Sequence, residues 1–154
     1  MSGRIERRLV ELGLVLPPVT KPLFSYQPVV IARDFAFVAG QPPLNGAERP
    51  FLGRVGAELT MEQAQAAVRL SGLNILAHLK VALDGDLDRI ERCVKLGVFV
   101  NSAPDFKGQP LVANAVSDMM VDIMGDAGRH ARFAVGTVGP ADFACSVEAV
   151  FLVK

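Results

Sequence analysis

The chain predicts an α+β fold: a mixed β-sheet with two long α-helices on one face and an extra short helix at the N-terminus. Three observations carry that expectation. Apolar residues alternate with other residues around Val94–Val100, Phe133–Val138 and Cys145–Val153, the pattern of half-buried strands, and the apolar runs Val29–Ala32 and Phe35–Ala39 flank a turn as a hairpin does. Two long stretches, from Thr60 and from near Gln109, instead repeat their apolar residues at helical spacing. Strands interleaved with long helices argue for a sheet carrying its helices on one face. Such a sheet has a second apolar face to cover, so oligomerisation is the expected remedy.

The N-terminal element comes first. Ile5, Leu9, Val10 and Leu12 recur at helical spacing among charged residues, and Gly13 can end the turn. Leu14 to Pro22 contains three prolines and cannot extend that helix, because proline removes a donor and restricts the residue before it. Residues 1–22 therefore read as an accessory helix and an extended connector. Tyr26 precedes Val29–Ala32, Arg33-Asp34 makes a turn, and Phe35–Ala39 returns to Gly40-Gln41-Pro42, which together form a hairpin. Leu44–Gly56 reads as a loop, with a short strand near Phe51-Leu52.

Thr60-Met61-Glu62-Gln63 has the capping-box form, so a helix begins there, with Ala64, Ala67, Val68, Ser71, Ile75, Leu79 and Ala82 on its inner face. His78 lies on it without a second ligand one turn away, which favours a surface or packed histidine over a metal ligand. Asp84, Asp86 and Asp88 fit a solvated turn, since the glycine and terminal glutamate of a calcium loop are not in place. After the strand through Val100, a second long helix is expected from Gln109 or Pro110 to Gly125, with Val112, Ala115, Met119 and Ile123 buried and Asn114 beside them, near the sheet edge.

Composition bounds the function. One domain of 154 residues, with a mean hydropathy of +0.34, can bury a core without staples. Sixteen basic and sixteen acidic side chains cancel and are interspersed, so no basic stripe is available for nucleic acid. Cys93 and Cys145 fall in strands without metal-ligand spacing and read as buried free thiols. No apolar run approaches membrane-spanning length. The expectation is a soluble, cytoplasmic protein.

The most pointed polar constellation is Gly128–Val138, where His130 and Arg132 stand at the mouth of an apolar strand. A guanidinium held by a sheet can bind a carboxylate through two parallel hydrogen bonds. His130, two residues away, shares a face with Arg132 if the segment is already strand.

These features resemble the Rid family, also called YjgF or L-PSP endoribonuclease, from about Tyr26 to Val150. The carriers are Tyr26 with Gly40-Gln41-Pro42 fourteen residues on, the strand Lys95–Phe106, Asn114, Ala131-Arg132 and Ser146-Val147-Glu148-Ala149. The N-terminal helix and the GRHAR stretch resemble the longer branch of the family. The resemblance implies a chorismate-mutase-like fold, a homotrimer with a site in each cleft between subunits, and cofactor-independent hydrolysis of reactive 2-imino acids to 2-keto acids and ammonia. It implies that Arg132 holds the substrate carboxylate, that Tyr26, Asn114 and Ala134 line the cleft, and that Ser146 and Glu148 sit beside the water. No metal is implied.

Three features depart from the compact members. Ser146 replaces a glutamate, Ala134 stands where cysteine or serine is common, and the Val138-Gly139-Pro140 turn is one residue shorter. They are consistent with a shifted substrate or a weakened activity, and Glu148 has the alternative of a structural role, capped by buried donors. The competing readings are a non-catalytic module that captures a small carboxylate in the same cleft and, with less support, a ribonuclease. A metal-free nuclease would want paired histidines around a basic groove, whereas His78 and His130 are far apart in sequence.

Overall fold

The computed structural model describes residues 3–154; Met1 and Ser2, at the start of the expected accessory segment, lie outside the described residues. Helix α1 spans Arg4–Glu11 and strands β1 (Val29–Ala32) and β2 (Phe35–Gln41) form the hairpin. Helix α2 (Met61–Ala82), strand β3 (Ile90–Asn101), helix α3 (Gln109–Met124), strand β4 (Ala131–Thr137) and strand β5 (Cys145–Val153) follow. The five strands make one sheet in the order β1-β2-β5-β3-β4, antiparallel throughout except for the parallel pair β3–β4. The expected mixed sheet is therefore present.

Helices α2 and α3 pack on each other and on one face of the sheet. The reason is visible strand by strand. Leu96, Val98 and Val100 of β3, Val147, Ala149 and Phe151 of β5, and Ala36 and Val38 of β2 all point to the helices and are buried. Residues of opposite parity face away. Phe35 and Phe37 are exposed there, and the Phe99 and Phe133 rings meet edge to face at 5.2 Å. The helix-free face is thus apolar as well.

Local chemistry explains the helix ends. Gln63 N–H donates to Thr60 Oγ1 at 3.2 Å and Thr60 N–H to Gln63 Oε1 at 2.9 Å, the reciprocal box the sequence predicts. Pro110 occupies the first turn of α3, where its missing N–H costs nothing. Leu52 bridges Phe143, which accounts for the short strand expected near Phe51-Leu52.

One expectation needs correcting. The aspartate cluster is not merely a solvated turn, because Asp88 accepts hydrogen bonds from Arg4 N–H at 2.6 Å and Ile5 N–H at 2.9 Å. It caps α1 from 83 residues away and anchors the accessory helix, whose Ile5 and Leu9 are buried. Burial opposes ionisation of Asp88, but the Ile5 and Arg4 amides and the nearby Arg4 and Arg7 charges outweigh it and hold the carboxyl below its ordinary value.

Candidate functional site

Strand β4 closes the β3–α3–β4 crossover and lies at the edge of the sheet, so the polar residues of α3 that face it are set against a strand with an open side. Arg132 pairs in register with Leu96, which places it on the helix-covered side. Its Nη1 donates to Asn114 Oδ1 at 2.9 Å and to Ser117 Oγ at 3.1 Å. Asn114 and Ser117 stand three residues apart on α3, hence on one face. No carboxylate lies within ion-pair distance of Arg132 among the described residues. The guanidinium is therefore held through one nitrogen, with its remaining donors unclaimed.

The chain of hydrogen bonds continues. Ser117 Oγ lies 2.9 Å from His130 Nε2, and His130 Nδ1 lies 2.6 Å from the Gly128 carbonyl. A carbonyl only accepts, so Nδ1 carries the proton; an arginine N–H only donates, so the Ser117 hydroxyl is free to donate to Nε2. Every link in the chain thus has a donor and an acceptor. His130 precedes β4 rather than lying on it, so the same-face argument from strand alternation does not apply. His130 and Arg132 meet instead through Ser117, a residue the sequence reading did not single out. The signal available was a serine three residues after Asn114 on one helix face.

Ser146 and Glu148 do share a face, but it is the other one. In the register Gly97↔Glu148 and Phe99↔Ser146 they look away from the helices. A β-carbon at Gly97 would stand 2.8 Å from Glu148 Oε1, and one at Gly40 would stand 2.7 Å from Ser146 Oγ, so both side chains lie over glycines. Ser146 lines a cleft of about 330 Å³ with Gly40, Phe99, Thr137 and Phe143. Glu148 is exposed, and no donor among the described residues bonds it, which corrects the reading of a glutamate capped by buried groups.

Tyr26 stands at the opposite edge. Val29, Val38, Ala149, Leu96 and Arg132 form one row across the sheet, and Tyr26 lies three residues before Val29. Four strand spacings put roughly 19 Å between the ends of that row. Within one protomer, then, Arg132 and Asn114 come together with Ala134 on the same side, partly buried against the core. Ser146 and Glu148 are on the reverse face, and Tyr26 is across the sheet. A reading that gathers all six residues around one ligand within a single chain is ruled out by this geometry.

Three further titratable groups lie outside this cluster. Cys93 and Cys145 are buried free thiols pushed up to about 12 by burial, so neither is a nucleophile. His78 is packed, as expected, and burial lowers its proton affinity. Among the described residues no helix is long and apolar enough to cross a membrane.

Comparison with known proteins bears on the family and the fold. Residues 6–152 match the family model described as "YjgF/chorismate_mutase-like, putative endoribonuclease". Protein TCP17 of Trypanosoma cruzi is 42% identical over 154 residues, covering 99% of this chain and 95% of its own. The crystal structure of Atu1372 from Agrobacterium tumefaciens superposes with a TM-score of 0.90 at 38% identity, covering 97% and 93% of the two chains. Escherichia coli TdcF, described with bound serine, shares the fold at a TM-score of 0.60 and 23% identity over 90% and 94%.

Proposed function

Because the chain belongs to the YjgF/chorismate mutase-like family, we propose that it is an imine or enamine deaminase acting on a small carboxylate, with Arg132 as the carboxylate clamp. The observation that carries this reading is the Arg132 guanidinium, tethered at Nη1 by Asn114 and Ser117 and lacking an acidic partner among the described residues. Its Nε and Nη2 edge is the planar fork that a carboxylate accepts side-on. TdcF is described with serine, and only that size class is carried over.

The chemistry asks little of the protein. An iminium carbon is already electrophilic, so water adds to it, the carbinolamine collapses, and the C–N bond breaks to leave a 2-keto acid and ammonium. Positioning the acid and the water supplies most of the rate enhancement. Ser146 can hold a water by hydrogen bonding but cannot remove its proton as a carboxylate would, and Glu148, two residues along the same face, is the carboxylate at hand. Since these residues and Tyr26 are remote from Arg132 in one protomer, the proposal includes assembly. A second copy must bring its helix-free face and β1 edge to the β4 edge of the first, and three such head-to-tail contacts close a homotrimer.

The runner-up is a carboxylate-binding module without turnover, favoured by the Ser146 hydroxyl standing where a general base is wanted. Ribonuclease action finds less support, because His78 and His130 belong to different neighbourhoods, on α2 and beside α3. The test is keto-acid release from a dehydratase-generated imine, alongside calorimetry with 2-ketobutyrate. Release that disappears in Arg132→Ala while the oligomer persists supports the deaminase. Binding without release selects the module. Full activity in Arg132→Ala sinks both uses of the clamp.

A further inference from the structure

A second cleft, of about 690 Å³, opens between the connector before β1, the loop after β2 and the C-terminal half of α2. Arg132 does not line it. Its depth contains two side chains more than nine-tenths buried, His78 at 6% exposure and Gln41 at 7%. Neither ring nitrogen of His78 has a hydrogen-bond partner among the described residues, and Gln41 uses its Nε2 on the Ala39 carbonyl while its Oε1 has none; these atoms are open to the cleft rather than sealed from solvent, unlike Glu6 Oε2. Water reaches these atoms through the cleft, and a ligand seated there can take its place. A neutral imidazole offers one donor and one acceptor, and an amide oxygen offers an acceptor, so the complement is a group that both gives and takes a hydrogen bond, such as a hydroxyl.

The rim has the opposite character. Arg49 is fixed in place, with Nη2 donating to the Ala141 carbonyl at 2.8 Å and its guanidinium 4.6 Å from the centre of the Phe143 ring. It has no acidic partner among the described residues, Lys21 lies on the same cleft, and no aspartate or glutamate lines it. An immobilised arginine with free donors at an acid-free rim selects an anion. Between rim and floor the walls are Phe143, the Tyr26 ring and aliphatic residues. The volume suits one small molecule.

We infer that this cleft is a second binding site, for a small carboxylate with an apolar, preferably aromatic, body and a hydroxyl at its far end, the acid at Arg49 and the hydroxyl at His78 and Gln41. The site does not rest on the deamination reading, although it includes Tyr26 and borders the Ser146 cleft, with Gly40, Pro42, Ala141 and Phe143 lining both. The probes are 4-hydroxyphenylacetate, its carboxamide, and phenylacetate. The readout is the imidazole resonances of the full chain, which has only two histidines, so His130 serves as the internal reference.

Saturable movement of the His78 signals by 4-hydroxyphenylacetate is expected, with His130 unmoved. Affinity should fall tenfold or more for the carboxamide and in Arg49→Ala, the loss expected for a charge-assisted pair, and several-fold for phenylacetate. Arg132→Ala should bind the probe unchanged even if keto-acid release is gone, which separates failure of this site from failure of the deaminase. Stationary His78 signals with all three probes at millimolar concentration, or equal affinity in Arg49→Ala, would overturn the inference.

Discussion

The two edges of the sheet are finished in opposite ways. At the β4 edge the polar groups form a closed chain, Asn114 and Ser117 holding Arg132, Ser117 reaching His130, and His130 ending on the Gly128 carbonyl. At the β1 edge the deepest polar groups, His78 and Gln41 Oε1, are left open toward a cleft. The difference teaches what each edge is suited to. A satisfied chain fixes the direction of one charged group, whereas groups open to a cleft can take a ligand's hydrogen bonds in place of water's.

The largest expected effect falls on the satisfied edge. Arg132→Ala should lower keto-acid release about a hundredfold or more, the scale of losing a charge-assisted bidentate contact at the reacting molecule, and steady-state kinetics check it. Next, the same replacement at the two histidines should have unequal consequences. His130→Leu leaves the Ser117 hydroxyl and the Gly128 carbonyl short of a partner and should destabilise by about 1–2 kcal/mol. His78→Leu removes an imidazole whose nitrogens bond no other protein group among the described residues and should be close to neutral. Denaturant titrations of the pair decide it, and equal losses would erase the contrast between the edges.

A pH series sharpens the same pair. Burial holds His78 below its ordinary 6.5, so the unfolded chain takes up a proton there more readily than the folded one. Stability is full above about 6.5 and declines as pH falls toward the folded value. His78→Leu should remove that part of the slope, read from thermal unfolding between neutral and mildly acidic pH. Ser117→Ala should cost about 1 kcal/mol, and raise KM more than it lowers kcat, because it frees one tether of Arg132.

The smallest effect lies outside both edges. Asp88→Ala should cost about 0.5–1 kcal/mol through loss of a cap and loosen α1, seen as faster amide exchange in Arg4–Glu11. The carboxyl of Asp88 is held below its ordinary value, so its contribution should hold at neutral pH and fade as pH drops through that lowered value.

Much of the scaffold was legible because its signals are local. Thr60 and Gln63 announce α2 three residues apart, Pro110 marks the start of α3, and the alternation of Cys145–Val153 alone assigns Ser146 and Glu148 to one face. What could not be read depends on pairing. Which strand lies beside which decides that Arg132 shares a row with Leu96 and Ala149 but looks to the opposite side from Glu148, and no spacing in the chain encodes that. The cap from Asp88 onto Ile5 and the meeting of His130 with Ser117 are contacts of the same non-local kind. The candidate residues were identifiable by type; their separation onto two faces and two edges was not.

The close approach of Ser146 to Gly40 has a consequence for descent. With the Ser146 hydroxyl 2.7 Å from where a β-carbon at Gly40 would stand, no atom can be added at 40 without displacing it, while a longer side chain at 146 still has the neighbouring cleft to grow into. A β-carbon at 40 is met by that hydroxyl, the end of a side chain that can turn, so the two positions vary together and 146 is the more adjustable of them. An acidic group can be lost or regained there by a change at a single codon, with the backbone around it left as it was.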